Sequence, residues 1–144
     1  ELLIFPRHLP YAVKLVKQFP DQQFVLDHIG KPPINDKIIA PWKESIKQLA
    51  LQNNVACKLS GMVTEASWKG WSCSDFVPYL DVIFDTFGPS RLMTGSDWPV
   101  CTLASDYENT MQIIVDYIAA KSQAEREHIL GGNAERIYNL KSKV

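Results

Sequence analysis

Four short apolar or β-branched runs, each closing in a polar cluster, alternate along the chain with four longer segments of helical period. The runs are residues 2–5, 23–27, 54–59 and 91–94. Strands separated by a helix return to the same edge and pair in parallel, while the intervening helices cover the sheet. The predicted class is therefore α/β. At 144 residues and 46% hydrophobic, the chain buries one modest core, so residues 1–144 are expected to form a single unit.

Between the runs the apolar positions follow helical spacing. Leu9, Ala12, Val13 and Val16 form one stripe, and Trp42, Ile46, Leu49 and Ala50 a second. Phe76, Tyr79, Leu80, Ile83, Phe84 and Phe87 form the third, stopped by Gly88-Pro89. Met111, Ile114, Val115, Ile118 and Ala119 make the fourth. Ser105 with Glu108, and Ser122 with Glu125, have capping-box spacing. Gly131-Gly132 is expected to break the chain before Asn133 caps a last helix through Leu140. Four βα units make half of an eight-stranded barrel or most of a small open sheet, and periodicity does not choose between them.

Composition narrows the partners. A formal charge of −1 with interleaved signs gives no field to attract nucleic acid or an anionic membrane, leaving a small molecule as the expected partner. The longest apolar run, around Asp116, is too short to span a bilayer. Cys57, Cys73 and Cys101 have no CxxC spacing, which argues against a disulfide framework and makes a reducing cytoplasm the simplest setting. Glu1 stands directly before an apolar run with no initiator methionine or leader, so the chain is expected to be cut from a longer one.

The chemistry gathers where strands end. The second run closes in Asp27-His28, the third carries Lys58 within Ala56-Cys57-Lys58-Leu59, and the fourth closes in Gly95-Ser96-Asp97-Trp98-Pro99. In parallel α/β folds this edge carries the active site, because its loops vary without disturbing the core. Alternation puts Asp27 and His28 on opposite faces, so one of them points inward. His28, Lys58 and Asp97 together supply an imidazole, a cation and a proton acceptor. Each also has an ordinary explanation. His28 can be structural, Asp97 can cap a turn, and Lys58 can reach solvent or pair with Glu65. Trp68 and Trp71, near Glu65, could form a lid over the third strand. Arg7-His8 reads as a turn and His128 as a helix-end residue.

The segments FVLDHIGKPP (24–33), KLSGMVTEA (58–66), FGPSRLMTGSDWPVC (87–101) and GNAERIYNL (132–140) resemble the amidohydrolase-2 family, in order and over nearly the whole chain. Within it they are most similar to fuconolactonase-like and rhamnonolactonase-like sugar-lactone hydrolases. The resemblance implies the C-terminal half of a TIM-type (β/α)8 barrel, with strands five to eight and their helices. It implies that Asp97 is the general base for hydrolytic water, that His28 polarises the carbonyl, and that Lys58 orients substrate or stabilises oxyanion charge. Glu65, Trp68 and Trp98 become substrate-binding residues. In metal-containing members His28 and Asp97 would lie at a divalent ion such as zinc.

The family's first-strand His-x-His pair has no counterpart here, and half a barrel leaves open sheet edges. The resemblance therefore also implies self-association or pairing with a complementary half. Three alternatives stand beside lactone hydrolysis. They are a dicarboxylate-lactone hydrolase or decarboxylase of the same family, a noncatalytic half-barrel, and an open-sheet nucleotide-binding module. Pro6-Arg7-His8 after the first run, where a phosphate loop would be glycine-rich, weighs against the last.

Overall fold

The computed structural model describes residues 1–140 and so leaves the last part of the expected unit, 141–144, outside the described residues. Three parallel strands, β1 (Phe24–Leu26), β2 (Val55–Leu59) and β3 (Leu92–Thr94), pair in sequence order. Helix α1 (Leu9–Gln18) precedes β1, and α2 (Ala40–Ala50) joins β1 to β2. Helices α3 (Met62–Glu65) and α4 (Cys73–Phe87) join β2 to β3. After β3 come α5 (Tyr107–Tyr117), α6 (Gln123–Glu127) and α7 (Asn133–Ile137). The class is α/β with a parallel sheet, as the alternation of runs implies. Among the described residues no helix is long and apolar enough to cross a membrane.

The first run does not form the expected strand. Only Leu2 pairs, bridging to Leu26 with its amide on Val25 O at 2.7 Å. Pro6 then turns the chain into a short 3-10 segment, Pro6–His8, because its ring fixes φ and it has no amide to continue a ladder. Leu3 and Phe5 are left exposed.

One side of the sheet carries the main core. Leu26, Cys57, Leu59 and Leu92 meet the buried faces of α1, α2 and α4 there. The stripes expected for α2 and α4 are buried throughout, with Phe76, Ile46 and Leu49 fully enclosed. In α5 the buried face is shifted by one residue from expectation: Thr110, Ile113 and Ile114 point inward, followed by Ile118, whereas Val115 faces solvent. Both stripes have helical spacing, so the sequence alone does not separate them.

The other side of the sheet presents Val25, Ala56 and Met93, which Ala134 and Ile137 of α7 cover. Asn133 anchors this cover. It is 1% exposed and donates from Nδ2 to Pro89 O and Leu92 O, both at 2.7 Å, tying α7 to the entrance of β3. This anchor also explains a departure from the glycine reading. Gly131 and Gly132 do not break the chain, which stays helical as a π-turn over His128–Gly132 with Ile129 buried beneath it, and Asn133 is the first residue of α7 rather than its cap.

Other local signals resolve similarly. The Ser122 and Glu125 capping box forms at α6, but α5 is capped by Asp106, whose side chain accepts from the Asn109 amide, and not by Ser105. Gly88 takes φ 69 at the end of α4. Beside it Arg91 donates to Phe87 O, Ala50 O, Gln52 O and Val55 O, so one guanidinium closes the ends of α4 and α2 and the entrance to β2.

The Asn133 anchor gives a direct test. Asn133→Ala leaves the buried Leu92 carbonyl without its donor and Pro89 O with the Leu92 amide alone, and is expected to lower the unfolding free energy by about 1–3 kcal/mol in urea titration. Glu44→Ala, which removes an exposed pair with Lys47, should change it by less than about 0.5 kcal/mol.

Candidate active site

At the end of β1 the backbone reverses hand. His28, Ile29, Gly30 and Lys31 have φ of 54, 48, 72 and 50, four consecutive residues in the left-handed region. Each L-residue there costs about 1–2 kcal/mol. The run is held by what it buries: Ile29 is fully enclosed, and its carbonyl accepts from Trp42 Nε1 at 2.8 Å.

This reversal changes where the ionisable pair points. Asp27 follows the strand alternation and lies on the same side as Val25, buried against Lys58. His28 would project toward the helices, but its positive φ swings the imidazole back to the strand ends. Both residues thus reach the same end of the sheet, where simple alternation allows only one.

The imidazole is held on three sides. Nδ1 lies 2.9 Å from the hydroxyl of Ser60, a buried residue just beyond β2. Nε2 lies 3.7 Å from Asp97 Oδ1, too far for a hydrogen bond but within electrostatic reach. The ring face rests on Gly61, where an added Cβ would stand 2.6 Å from His28 Cγ. Burial pulls the imidazole pKa below its ordinary value, against the opposing pull of Asp97 and Asp27, with Lys31 and Lys58 adding to the drop. Asp97 also adopts a left-handed backbone, φ 57, which a short polar side chain tolerates. Among the described residues nothing donates a hydrogen bond to its carboxylate.

Lys58 is already partnered. Its ammonium lies 2.7 Å from Asp27 Oδ1, in an angled ion pair rather than an aligned hydrogen bond, and 2.9 Å from Glu1 Oε1. Burial opposes its charge, but Asp27 and Glu1 outweigh that and hold its pKa above the usual lysine value. Tyr138 donates to the same Glu1 carboxylate, and with Lys58 it holds Glu1 down to about 2.

A cleft of about 370 Å³ opens beside His28 and Asp97, lined also by Leu3, Phe5, Val100 and Lys31. Lys31 Nζ lies 2.8 Å from Glu65 Oε1 and 5.8 Å from the centre of the Phe5 ring. The structure therefore brings His28 and Asp97 together at the cleft and puts Lys58 behind it. Glu65 reaches the cleft through Lys31 and not through Lys58. Trp68 and Trp98 are exposed, at 51% and 67%, and neither lines the cleft. Trp71 packs on Phe76 and donates to Ala104 O, so it belongs to the core side and not to a lid.

Phe5, Lys31, Ser60 and Gly61 join the site without having been singled out. Three of them sat in plain view inside HIGKP and KLSG, the motifs that flank His28 and Lys58.

Comparison with known proteins places these motifs. The family model described as amidohydrolase matches residues 2–140. An L-fucono-1,5-lactonase of Burkholderia multivorans is 40% identical over 150 residues, covering 97% of this chain and 51% of the relative. An L-fucono-1,5-lactonase of Burkholderia ambifaria is 35% identical over 97% of this chain and 49% of its own length. The crystal structure of an amidohydrolase from Burkholderia multivorans with bound zinc superposes with a TM-score of 0.92 at 41% identity, over 97% of this chain and 52% of that one. The chain spans about half the length of the curated relatives it matches.

The packing of His28 on Gly61 can be tested by substitution. Gly61→Ala places a Cβ against the imidazole at φ 64 and is expected to cost about 1–3 kcal/mol in denaturant unfolding. It should also displace the His28 ring in a crystal structure of the variant. An undisturbed ring and wild-type stability would show that the contact is slack.

Proposed function

The chain belongs to the amidohydrolase family, and on that premise we propose that it forms half of an eight-stranded barrel whose strand ends hydrolyse the ring ester of a sugar-acid lactone. The chain would supply strands five to eight. Leu2 and β3 stand at the sheet's two open edges, where strands of a complementary half would pair, whether from the same protein or from another chain.

The observation that carries the reaction is how charge is distributed around the cleft. Lys31 is paired with Glu65, and Lys58 with Asp27 and Glu1, so both cations are already neutralised. The Asp97 carboxylate faces the cleft without a donor among the described residues. Such a site suits an uncharged electrophile attacked with the help of a base. Among the described residues the lysines beside the cleft are already paired with carboxylates, which favours a neutral sugar lactone over a dicarboxylate lactone or an aromatic acid.

The chemistry follows from these positions. Asp97 takes a proton from water, and the hydroxide adds to the lactone carbonyl. The carbonyl oxygen, becoming an oxyanion, accepts a hydrogen bond from His28, whose depressed pKa keeps it a neutral donor near pH 7. The intermediate collapses by breaking the bond to the ring oxygen, which takes the proton back from Asp97. The product is the open-chain hydroxy acid, ionised at neutral pH. Lys58 acts from behind, its charge contributing to the low His28 pKa, while Lys31, Glu65 and Phe5 bound the space for the sugar hydroxyls and ring face. Trp68 and Trp98 are exposed and would reach substrate only at the rim of the site.

The zinc in the crystallised relative bears on the metal. Among the described residues no three His, Cys, Asp or Glu side chains gather closely enough to hold an ion. His28 and Asp97 provide two donors on one edge of the cleft, and a catalytic zinc takes about three protein ligands. These two would hold an ion only with donors from the complementary half, where it would polarise the substrate carbonyl. Cys57, Cys73 and Cys101 are all free, and Cys57 and Cys101 are buried.

Hydrolysis of a panel of five- and six-membered sugar lactones by the full-length protein tests the reading. Asp97→Asn is expected to slow turnover by about a hundredfold or more. A variant that keeps near wild-type rate removes Asp97 as the base. Lys31→Met should raise KM more than it lowers kcat if Lys31 contacts hydroxyls and not the reacting carbonyl.

A further inference from the structure

A neutral imidazole carries its proton on one nitrogen only, and the surroundings of His28 select which. Ser60 is 2% exposed, and among the described residues its hydroxyl has a single hydrogen-bond partner, His28 Nδ1 at 2.9 Å. Two arrangements fit that distance. If Nδ1–H donated to the hydroxyl oxygen, the buried Ser60 O–H would have no acceptor, and the bare lone pair of Nε2 would face the Asp97 carboxylate oxygen 3.7 Å away. An unmade hydrogen bond at a buried donor is costly, and two facing lone pairs repel. If Ser60 donates to Nδ1, its O–H and the Nδ1 lone pair are both satisfied, and Nε2–H points toward a negative oxygen.

We propose that Ser60 is a positioning residue that donates to His28 Nδ1 and fixes the ring as the Nε2–H tautomer. His28 then presents a hydrogen-bond donor, not a lone pair, to the cleft. Gly61 supports the arrangement by letting the ring lie flat against the backbone that carries Ser60. The consequence for catalysis rests on the lactonase reading: an Nε2–H aimed at the cleft is the donor that a developing oxyanion needs. The consequence for metal binding does not. A cation could reach Nε2 only if that proton left and the ring reprotonated at Nδ1, with the Ser60 hydroxyl rotating to accept. The Ser60 rotor therefore sets His28 as either a donor or a ligand.

Nitrogen-15 labelling of histidine in the full-length protein, with long-range proton–nitrogen correlation at neutral pH, reads the tautomer directly. The His28 signals are assigned by their loss in His28→Gln. Nδ1 is expected to resonate as an unprotonated nitrogen and Nε2 as a protonated one. In Ser60→Ala the two shifts should move toward a common average, and kcat on the lactone should fall by about ten- to a hundredfold with KM within about twofold. Ser60→Thr keeps the hydroxyl and should restore both readouts. A protonated Nδ1 in the native protein overturns the proposal, as do unchanged His28 shifts in a folded Ser60→Ala variant. Should that variant fail to fold, the native and Ser60→Thr spectra decide. The expected tautomer in a native protein that opens no lactone would leave the proposal standing and overturn the lactonase reading instead.

Discussion

The left-handed run from His28 to Lys31 is the constraint on which the strand-end geometry depends. A β-strand that simply continued would have sent His28 into the helical layer and Lys31 away from the cleft. By turning over four residues of positive φ, the chain brings an imidazole and an ammonium to one opening. Three of the four are not glycine, at about 1–2 kcal/mol each. That strain persists because Ile29 cannot leave the core without losing its packing and the Trp42 hydrogen bond. A buried aliphatic side chain thus holds a functional one in an unfavourable backbone.

Charge at this end of the sheet is organised in the same economical way. Every lysine near the cleft has a carboxylate within ion-pair distance, and every buried carboxylate has a lysine. Asp97, half-buried at the cleft, differs: among the described residues its ion-pair neighbour is His28, at 3.7 Å. A carboxylate without hydrogen-bond donors keeps its oxygen lone pairs open to whatever enters the cleft.

Much of this was legible from residue order. Three of the four apolar runs became strands, the Phe76 to Phe87 stripe became a buried helix face, and the motifs ending in His28 and Asp97 met at one edge. What escaped did so for identifiable reasons. Pairing of Lys58 with Asp27 and Glu1, and of Lys31 with Glu65, depends on which long side chains reach each other across 30 or more intervening residues. The failure of residues 2–5 to form a strand depends on what lies beyond Leu2. Gly131-Gly132 looked like a break because propensity is local, whereas Asn133 makes its contacts with residues more than 40 positions earlier. Trp98 drew notice inside a motif and Trp68 beside Glu65, but size says nothing about which way a loop faces.

The cover over the sheet's second face has a temporal consequence. Val25, Ala56 and Met93 come from the three strands, while Ala134 and Ile137, which cover them, come from α7, the last of the described helices. As the polypeptide leaves the ribosome, these strands and the helices on one side of them emerge while the opposite side still lacks its α7 cover. That apolar surface stays open until α7 emerges and Asn133 finds the entrance of β3. A nascent chain paused before this point would present an oily, strand-edged platform, which is what chaperones bind and what neighbouring nascent chains aggregate through.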